Sequence, residues 1–548
     1  MDTKTTPQRL TIGEHLVYAL PRLRANKKVP SWPPDVFALC VSLLQKSGSY
    51  LCALNEWSPQ GSNQSYLNSG EWTDYTEKIG AKWRLTWIRR RSVPFHVEEL
   101  WRKIVRAWND PTQSLLTGPK GRALGAVVLE LAVLADAASV GVGVAGYTGQ
   151  TASEQDFYNQ ADKALEYDSD GSSLCCEIDK SRLRVLPKMH TPQNGLTIRS
   201  LSMHLALCQG HDITPLWVLS GAWSKPLLTS SLNLLLVPWP EHVRPSQFAE
   251  SAALPANSPS APSQYGFFSY SPSPASEQNL VNRIHKLLLA TEELIGKERI
   301  DVVVLPELSI TQSTYEEISP AIQAKKALLI AGVVGEHGRD KRPVNQVLCD
   351  VPGLKQLRQR KHHRWCLDRS QIEQYGIGSQ LNPEMTWWEH LDLRDRNISF
   401  LSLMPWLVLS VLICEDLARP DPAGDLIRAV GPNLVITLLM DGPQIKERWS
   451  ARYATTLADD PGSSVLTLTS IGMSSLSRPF AGPSRSRVVA LWKDAKRSAP
   501  VEIELPEGYD GLVLSLTARW FEEYTADGRS DHKSASHPVL SGIHPVRI

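Results

Sequence analysis

The chain has 548 residues, of which 42% are apolar and 21% charged, and its formal net charge is +1. This composition is typical of a globular protein of two or three domains and excludes a global electrostatic attraction to nucleic acid, membranes or an acidic partner. The eight cysteines show neither metal-site nor disulfide-framework spacing, and no signal-peptide core opens the sequence. These features predict a cytoplasmic protein.

Residues 1–229 are predicted to form a mostly helical N-terminal region, to which the sequence assigns no role. The most apolar segment, 124–146, contains Glu130 and Asp136 and ends among glycines. Either acid near the centre of a bilayer would cost roughly 3 kcal/mol. We therefore expect a buried helix there rather than a membrane span.

Aromatic residues and arginines alternate in AKWRLTWIRRRSVPFHVEELWRKIVRAW, residues 81–108. Such a stretch can bind single-stranded nucleic acid through stacking and charge, but it is more often an amphipathic helical face with a basic rim. We favour the structural interpretation, and the nucleic-acid interpretation stays open. A nearby motif, TGPKGR at 117–122, lacks the Gly-Lys-Ser/Thr ending of a phosphate loop.

From residue 230 onward, short apolar strands alternate with helices. The segments SLNLLLVPWP (231–240), DVVVLPEL (301–308), ALLIAGVVGE (327–336) and NLVITLLMDG (433–442) are typical of strands buried on both faces. We predict an α/β domain over 230–548. Residues 250–276, rich in Ser, Pro and Ala, are predicted to be a flexible insertion within it.

Three reactive side chains stand at the ends of predicted strands. Glu307 follows VVVLP, Cys414 follows VLSVLI, and Lys361 lies just after the strand around NQVLCDV. In open α/β folds, ligands bind beyond the carboxyl ends of the strands. We therefore expect the tips of these three side chains to converge within roughly 3 to 5 Å in one pocket.

The motifs VVVLPEL, RQRKHHRW and LICEDLAR, in this order, resemble the glutamate, lysine and cysteine motifs of the carbon–nitrogen hydrolase (nitrilase) superfamily. The segments WSARYATTLADDPGSSVLTLTSIGM and FAGPSRSRVVALW match two supporting elements of that family. LPKMHTPQNGLTIRSLS and ICEDLARPDP further resemble nitrilase domains of bacterial defence proteins. The resemblance covers 230–548 and implies a four-layer αββα sandwich.

The resemblance also implies a chemistry for the three residues. Cys414 would be the nucleophile, Glu307 the general base, and Lys361 a positive charge for the oxyanion. The backbone N–H of Glu415 is a candidate second oxyanion donor. We expect Lys361 to stabilise the Cys414 thiolate, and hence expect Cys414 to be the cysteine most sensitive to alkylation.

The family often has a second glutamate that positions the substrate. Glu373, in SQIEQYGIG, is the candidate for this role here, and Glu384 is the runner-up. The adjacent His362 and His363 are candidate metal ligands by type, but neighbouring positions on a strand point apart, which disfavours a metal site. Neither a metal nor a cofactor is expected, and a plain core thiol is the alternative for Cys414.

The predicted function is thiol-dependent hydrolysis of a non-peptide C–N bond in a small amide or nitrile, through a thioester. The resemblance implies a homo-oligomer, whether a dimer, a larger particle or a filament. It also implies a role in bacterial anti-phage defence. Nucleic acid is an unlikely partner and no membrane is involved. The alternatives are a nitrilase-fold scaffold for assembly and a nucleic-acid-responsive effector.

Overall fold

The computed structural model describes residues 10–52, 69–149, 151–208, 212–220, 230–251, 265–296, 299–335, 338, 342–477 and 486–548. The N-terminal part of these residues is helical, as predicted. Its helices are α1 (Ile12–Ala19), α2 (Pro33–Ser47), α3 (Ser69–Arg90), α4 (Phe95–Arg106), α5 (Gly118–Ala138) and α6 (Ala152–Leu165). In α4 the buried residues Val97, Leu100, Trp101 and Ile104 follow helical spacing, so one face packs on the core and the other stays polar.

Helix α5 occupies most of the segment that was weighed as a membrane span, and its C-terminal half is buried in protein. Asp136 accepts hydrogen bonds from the backbone N–H groups of Met203, His204 and Leu205 at 2.8, 2.9 and 2.9 Å. A buried carboxylate satisfied in this way suits a protein interior. Among the helices of the described residues, none is both long and apolar enough to cross a membrane.

Strands and helices alternate in the rest of the chain. The strands of the described residues are β1 (Arg184–Pro187), β2 (Leu205–Cys208), β3 (Thr214–Leu219), β4 (Ser231–Leu236), β5 (Phe248–Glu250), β6 (Tyr265–Tyr270), β7 (Val302–Thr311), β8 (Leu328–Gly335), β9 (Val344–Asp350), β10 (Leu357–Arg360), β11 (Cys366–Leu367), β12 (Thr386–Glu389), β13 (Asn397–Met404), β14 (Leu407–Ile413), β15 (Leu434–Leu438), β16 (Ser464–Leu468), β17 (Val488–Lys493), β18 (Val501–Glu504), β19 (Gly511–Phe521) and β20 (Ala535–Val546). The helices are α7 (Pro274–Ile295), α8 (Gln312–Ala324), α9 (Arg369–Tyr375), α10 (Asp425–Val430), α11 (Trp449–Asp459) and α12 (Ile471–Leu476).

Two seven-stranded sheets form the centre of the molecule. The first sheet has the order β10-β9-β8-β7-β4-β19-β20, and the second has the order β18-β17-β16-β15-β14-β13-β3. In each sheet the central strands pair in parallel and antiparallel pairs flank them, while the edge strand β3 of the second sheet again pairs in parallel. Strands β4 and β14 are mostly apolar and buried along almost their whole length, so both of their faces must be covered by further layers.

The two sheets pack face to face and helices cover both outer faces. Leu234 and Val304 of the first sheet share one core cluster with Leu409 and Ile436 of the second. Helices α7 and α8 pack on the outer face of the first sheet, and α10 and α11 pack on the outer face of the second. The predicted αββα sandwich is confirmed by this layer order.

The predicted boundary at residue 230 does not separate two independent structures. Strand β3 precedes it, yet β3 pairs in parallel with β13 and forms an edge of the second sheet. The N-terminal helices also share a core cluster with α10, α11 and the outer face of that sheet. The sequence pattern did not predict this pairing, because a boundary placed by composition carries no information on which distant strands pair.

The segment 250–276, predicted as a flexible insertion, was drawn too wide. Residues 252–264 lie outside the described residues, but β6 and the start of α7 fall within the segment. Strand β6 joins a four-stranded sheet of order β11-β12-β6-β5 and buries Phe268 and Tyr270. These aromatic side chains gain enough from burial to order a strand inside a stretch that is otherwise poor in apolar residues.

Candidate active site

Cys414 stands at the tip of β14, as the sequence predicts. All seven residues of β14 are buried, and a short helical turn, Cys414–Ala418, follows directly. The backbone of Cys414 has φ 48°, in the left-handed region that residues other than glycine rarely adopt. The sharp turn directs the chain out of the sheet, and the thiol, 2% exposed, lines a cavity.

Glu307 lies in the middle of β7, where that strand departs from regular pairing with β8. The register shifts between Leu305 and Ile310, and Leu308 has φ 48°. Gly332 of β8 makes the bulge possible, because a Cβ there would lie 2.4 Å from the Glu307 Cα. The bulge turns the Glu307 side chain toward the site.

Lys361 follows β10, a strand that the sequence analysis did not separate from β9. Its backbone N–H donates to Asn345 O at 2.9 Å, and its ammonium is buried. The Nζ atom lies 2.8 Å from Glu307 Oε1 and 2.6 Å from Glu389 Oε2. Glu307 and Lys361 therefore form a direct ion pair beside Cys414.

Two further groups fix the Glu307 carboxylate. Asn345 Nδ2 donates to Glu307 Oε1 at 2.7 Å and to Glu389 Oε1 at 2.9 Å. The backbone N–H of Met440 donates to Glu307 Oε2 at 2.7 Å. Since both oxygens are engaged, the carboxylate has little rotational freedom.

The second glutamate of this site is Glu389, and the prediction of Glu373 is wrong. Glu373 lies on α9 with its side chain 59% exposed and pairs with Arg369. The runner-up, Glu384, is 70% exposed and pairs with the same arginine. Glu389 is buried at the end of β12 and accepts from Lys361 Nζ and from the Trp365 N–H. A signal was present: an acid ends the short strand TWWE, as Glu307 ends VVVLPE.

Asp416 joins the turn after Cys414 to the loop that carries Lys361. Its buried carboxylate accepts backbone hydrogen bonds from His362 N at 3.1 Å and His363 N at 3.0 Å, and His363 Nδ1 lies 3.0 Å away. His362 Nε2 donates to the Asn397 carbonyl at 2.8 Å. The two histidines, weighed as metal ligands, are thus engaged in fixing this loop.

The charges in the site shift the pKa values of the ion pair. Burial raises the pKa of Glu307, the nearby Lys361 opposes this effect, and the charge of Glu389 reinforces it. Burial alone would lower the pKa of Lys361, but Glu307 and Glu389 outweigh it and raise that pKa well above its usual value. Two carboxylates thus share one ammonium, and Glu307 is the carboxylate that binds a proton more readily than usual.

Lys361 favours the Cys414 thiolate, but other effects in the site outweigh it. Burial raises the pKa of the Cys414 thiol well above its usual value, Glu307 adds to the rise, and Lys361 only partly offsets it. The resting sulfur is therefore protonated at neutral pH. A base must remove the proton before the sulfur can act as a nucleophile.

A cavity of about 350 Å³ opens beside the thiol. Its wall contains Cys414, the neighbouring Cys366, and the aromatic side chains Trp365, Trp449 and Tyr453. Charged residues of both signs also line it: Asp368, Glu415, Arg419, Asp441 and Arg452. Such a volume suits a small polar molecule.

Glu415, whose backbone N–H was the predicted oxyanion donor, is the residue after Cys414 in the helical turn and lines the same cavity. Its side chain pairs with Arg419, away from the ion pair of Lys361. The first N–H groups of a helical turn lack partners within the turn. The position therefore suits the predicted role, which stays a prediction.

No family model matches the sequence, and no curated protein matches it. The structure is similar to Nit3 of Saccharomyces cerevisiae, a member of branch 10 of the nitrilase superfamily, with 13% identity and a TM-score of 0.34 over 54% of this chain and 92% of that one. It is also similar to XC1258 of Xanthomonas campestris, a CN-hydrolase superfamily protein, with 15% identity and a TM-score of 0.32 over 52% and 89% of the two chains. The NitFhit protein of C. elegans matches with 12% identity and a TM-score of 0.31 over 53% and 61%.

Proposed function

We propose that this chain is a thiol-dependent hydrolase that cleaves a non-peptide C–N bond in a small amide or nitrile. The observation that carries the proposal is the buried ion pair of Lys361 with Glu307 beside the Cys414 thiol. An ion pair that is fully buried is an unfavourable way to stabilise a core. Its position next to a nucleophile at a strand tip favours a catalytic interpretation.

The first half of the proposed reaction forms a thioester. Glu307 accepts the thiol proton while Cys414 Sγ bonds to the carbonyl carbon of an amide. The oxyanion that forms is stabilised by the Lys361 ammonium and by the N–H of Glu415. When the C–N bond breaks, the leaving amine takes the proton from Glu307. The raised pKa of Glu307 suits it to both steps, because a carboxylate of raised pKa accepts a proton more readily than an ordinary one and still releases it to the leaving amine.

The second half consumes water. Glu307 takes a proton from a water molecule, and the resulting hydroxide adds to the thioester carbon. The C–S bond then breaks, the carboxylic acid leaves, and the Cys414 sulfur regains a proton. No cofactor enters this sequence of steps, since the acid, the base and the nucleophile are all side chains of the chain.

The proposal is tested by incubating the protein with a panel of small amides and nitriles and measuring the ammonia or amine that hydrolysis releases. Added hydroxylamine should divert the thioester to a hydroxamate, which mass spectrometry detects. We expect Cys414→Ala to lower the rate by at least about a thousandfold, since the covalent step is lost. The matched control is Cys366→Ala, because Cys366 lines the same cavity and has no role in the proposed steps.

A second measurement does not depend on the substrate: the rate of Cys414 alkylation by iodoacetamide at neutral pH. If Glu307 acts only through its charge, Glu307→Gln should lower the thiol pKa and speed alkylation. If Glu307 is the base, the same change should slow alkylation. A faster reaction in Glu307→Gln, or turnover that survives in Cys414→Ala, would overturn the mechanism.

We further propose, from the resemblance to nitrilase domains of defence proteins, that the hydrolase acts in anti-phage defence. The alternative is a scaffold whose fold serves assembly alone. Phage challenge of cells that produce the wild-type chain or Cys414→Ala separates the two. Protection that depends on the thiol supports the hydrolase, and equal protection by both chains supports the scaffold.

A further inference from the structure

A basic cleft lies in the N-terminal helical region. It is a cavity of about 910 Å³ between the segment 22–31, the turn at 91–93 that follows α3, and helix α4. Six cationic side chains line it: Arg22, Lys27, Lys28, Arg91, Arg102 and Arg106. The whole chain has a net charge of only +1, so this concentration of positive charge is a local feature.

Two acids also line the cleft, and each neutralises one cation. Glu98 pairs with Arg102 at 2.8 Å, one helical turn apart, and Glu177 pairs with Arg22. Within the described part of the chain, Lys27, Lys28, Arg91 and Arg106 have no acidic partner. Six cations less two acids leave four positive charges in the lining.

Trp101, which lines this cleft, and the neighbouring Trp87 and Trp108 already have partners. Trp101 is buried, and its indole N–H donates to the Lys27 carbonyl at 2.7 Å. Arg91 lies over the Trp87 ring at 3.7 Å, and Lys27 lies over the Trp108 ring at 4.7 Å. The rings therefore hold the cations in place and do not present open faces on which bases could stack.

The cations are also confined in space. A nucleic-acid interface needs a basic stripe that follows a long backbone. Here the pairs Glu98–Arg102 and Glu177–Arg22 interrupt the positive surface, and the four unpaired cations surround a single cavity. Several cations around one cavity are the arrangement that a compact ligand with several negative charges requires.

We propose that the basic cleft binds a small ligand with two or more phosphate groups. Phosphate oxygens accept charge-assisted hydrogen bonds from guanidinium and ammonium groups, and several cations can contact a di- or triphosphate together. The cleft belongs to α4 and its neighbours rather than to the Cys414 cavity, so this binding site is separate from the proposed hydrolase site. The proposal does not depend on the hydrolase activity.

The test is isothermal titration calorimetry of the full chain with sodium triphosphate, with ATP as a second probe. We expect one saturable site, with affinity that falls as sodium chloride rises from 50 to 250 mM because salt screens exposed charges. The double variant Lys28→Glu/Arg106→Glu should bind at least about a hundredfold more weakly, about tenfold for each lost contact. The matched control, Lys286→Glu/Lys355→Glu, reverses two exposed cations outside the cleft and should bind as the wild type does.

A third probe, a 15-residue thymidine oligonucleotide, separates a compact phosphate ligand from a nucleic acid. Binding of the oligonucleotide without triphosphate or ATP would overturn the proposal, as would absence of binding or equal loss in the control variant. Thermal denaturation checks that the variants fold. If the double reversal is unstable, Lys28→Gln/Arg106→Gln keeps the shape and should still weaken triphosphate binding.

Discussion

At the residue scale, the site places one ammonium between two carboxylates in the protein interior. Lys361, Glu307 and Glu389 are all nearly inaccessible to solvent. Removal of one partner from such a group leaves an uncompensated buried charge, which destabilises proteins by about 3–5 kcal/mol. Asn345 and the N–H groups of Met440 and Trp365 satisfy the remaining oxygens. These hydrogen bonds explain how the fold tolerates the site.

Glu389→Gln tests how the second carboxylate acts. The charge of Glu389 raises the pKa of Glu307, so its removal should lower that pKa. The acid limb of the kcat/KM profile reports the base of the free enzyme and should move to lower pH by about one unit. We also expect kcat to fall about tenfold, because Lys361 loses one of its two anchors.

The control for this measurement is Glu373→Gln, which removes an exposed carboxylate outside the site. It should leave the pH profile unchanged. An acid limb that stays in place in Glu389→Gln would show that Glu389 does not tune the base. Glu389 would then be a structural partner of Lys361 alone.

A second buried polar group lies where the N-terminal region meets the last strands. His190 Nδ1 contacts Glu523 Oε1 at 2.9 Å, and the His190 and His537 rings stack at 4.2 Å. Burial, assisted by the charges of His190 and Lys496 and opposed by Glu523, lowers the pKa of His537 to about 4. His537 is thus neutral in the folded protein at pH 5, whereas in the unfolded chain it is charged below about pH 6.5.

His537 should therefore make the protein acid-sensitive. When the pKa of a histidine is lower in the folded state, the unfolding free energy of the protein decreases as the pH falls below the pKa of the unfolded chain. For His537 this decrease runs from about pH 6.5 toward pH 4. Between pH 7 and pH 5 the loss amounts to about 2 kcal/mol of unfolding free energy. We expect His537→Phe to reduce the drop in urea-unfolding stability by this amount. His285→Phe, at an exposed position, is the control; an equal drop in both variants would contradict the assignment.

At the element scale, the turn after β14 and the loop after β10 act as one unit because Asp416 bonds to both histidine N–H groups of the loop. Asp416→Asn keeps the shape of the side chain but removes its charge and one acceptor oxygen. We expect the unfolding free energy to fall by about 1–3 kcal/mol. Asp416 is a positioning residue, so kcat should fall more than KM rises as Lys361 loses its fixed position.

Urea unfolding and steady-state kinetics measure these two effects of Asp416→Asn. Asp421→Asn, an exposed acid in the adjacent segment, is the matched control and should change neither quantity. If Asp416→Asn loses stability but keeps the wild-type kcat, the loop is held in place by other contacts.

At the scale of the whole molecule, the N-terminal region completes the sandwich. Two links join residues before 230 to the second sheet or its covering layer. Strand β3 pairs with β13, and Arg199 forms a bidentate pair with Asp460 at 2.7 Å. The predicted α/β domain at 230–548 therefore does not include every strand of its own second sheet.

We therefore predict that residues 230–548 expressed alone aggregate. Without the N-terminal region, β13 becomes an open edge and the apolar outer surface around α10 and α11 is exposed. Size-exclusion chromatography of the soluble fraction measures this outcome. Co-expression of residues 1–229 as a separate chain should restore soluble protein, and a monodisperse 230–548 fragment would contradict the prediction.

Assembly is the second prediction at this scale. We expect light scattering to detect a dimer or larger particle at micromolar concentration. Cys414→Ala should form the same particle, because the change from thiol to methyl at a strand tip disturbs packing little. A protein that remains monomeric over a wide concentration range would contradict this prediction.

The sequence by itself determined the elements whose signal is local. Apolar segments such as VVVLPEL and VLSVLIC predict strands that are buried on both faces. A reactive side chain at the end of such a segment indicates where a site forms. Glu307, Lys361 and Cys414 were predicted on this basis, and the structure brings them together. Local patterns also predicted the helical N-terminal region, whereas the four layers were expected from the resemblance to the nitrilase superfamily.

Only the tertiary structure decided what depends on distant neighbours. Glu389 replaces Glu373 because β12 pairs with β6, a strand 120 residues earlier, and this pairing brings the end of β12 to Lys361. The boundary at 230 failed because β3 pairs with β13. The Cys414 thiol is protonated because burial and Glu307 outweigh Lys361, a balance set by distances in space. Desolvation and Coulomb energy depend on which groups the fold brings together, and that information is absent from any local stretch of the chain.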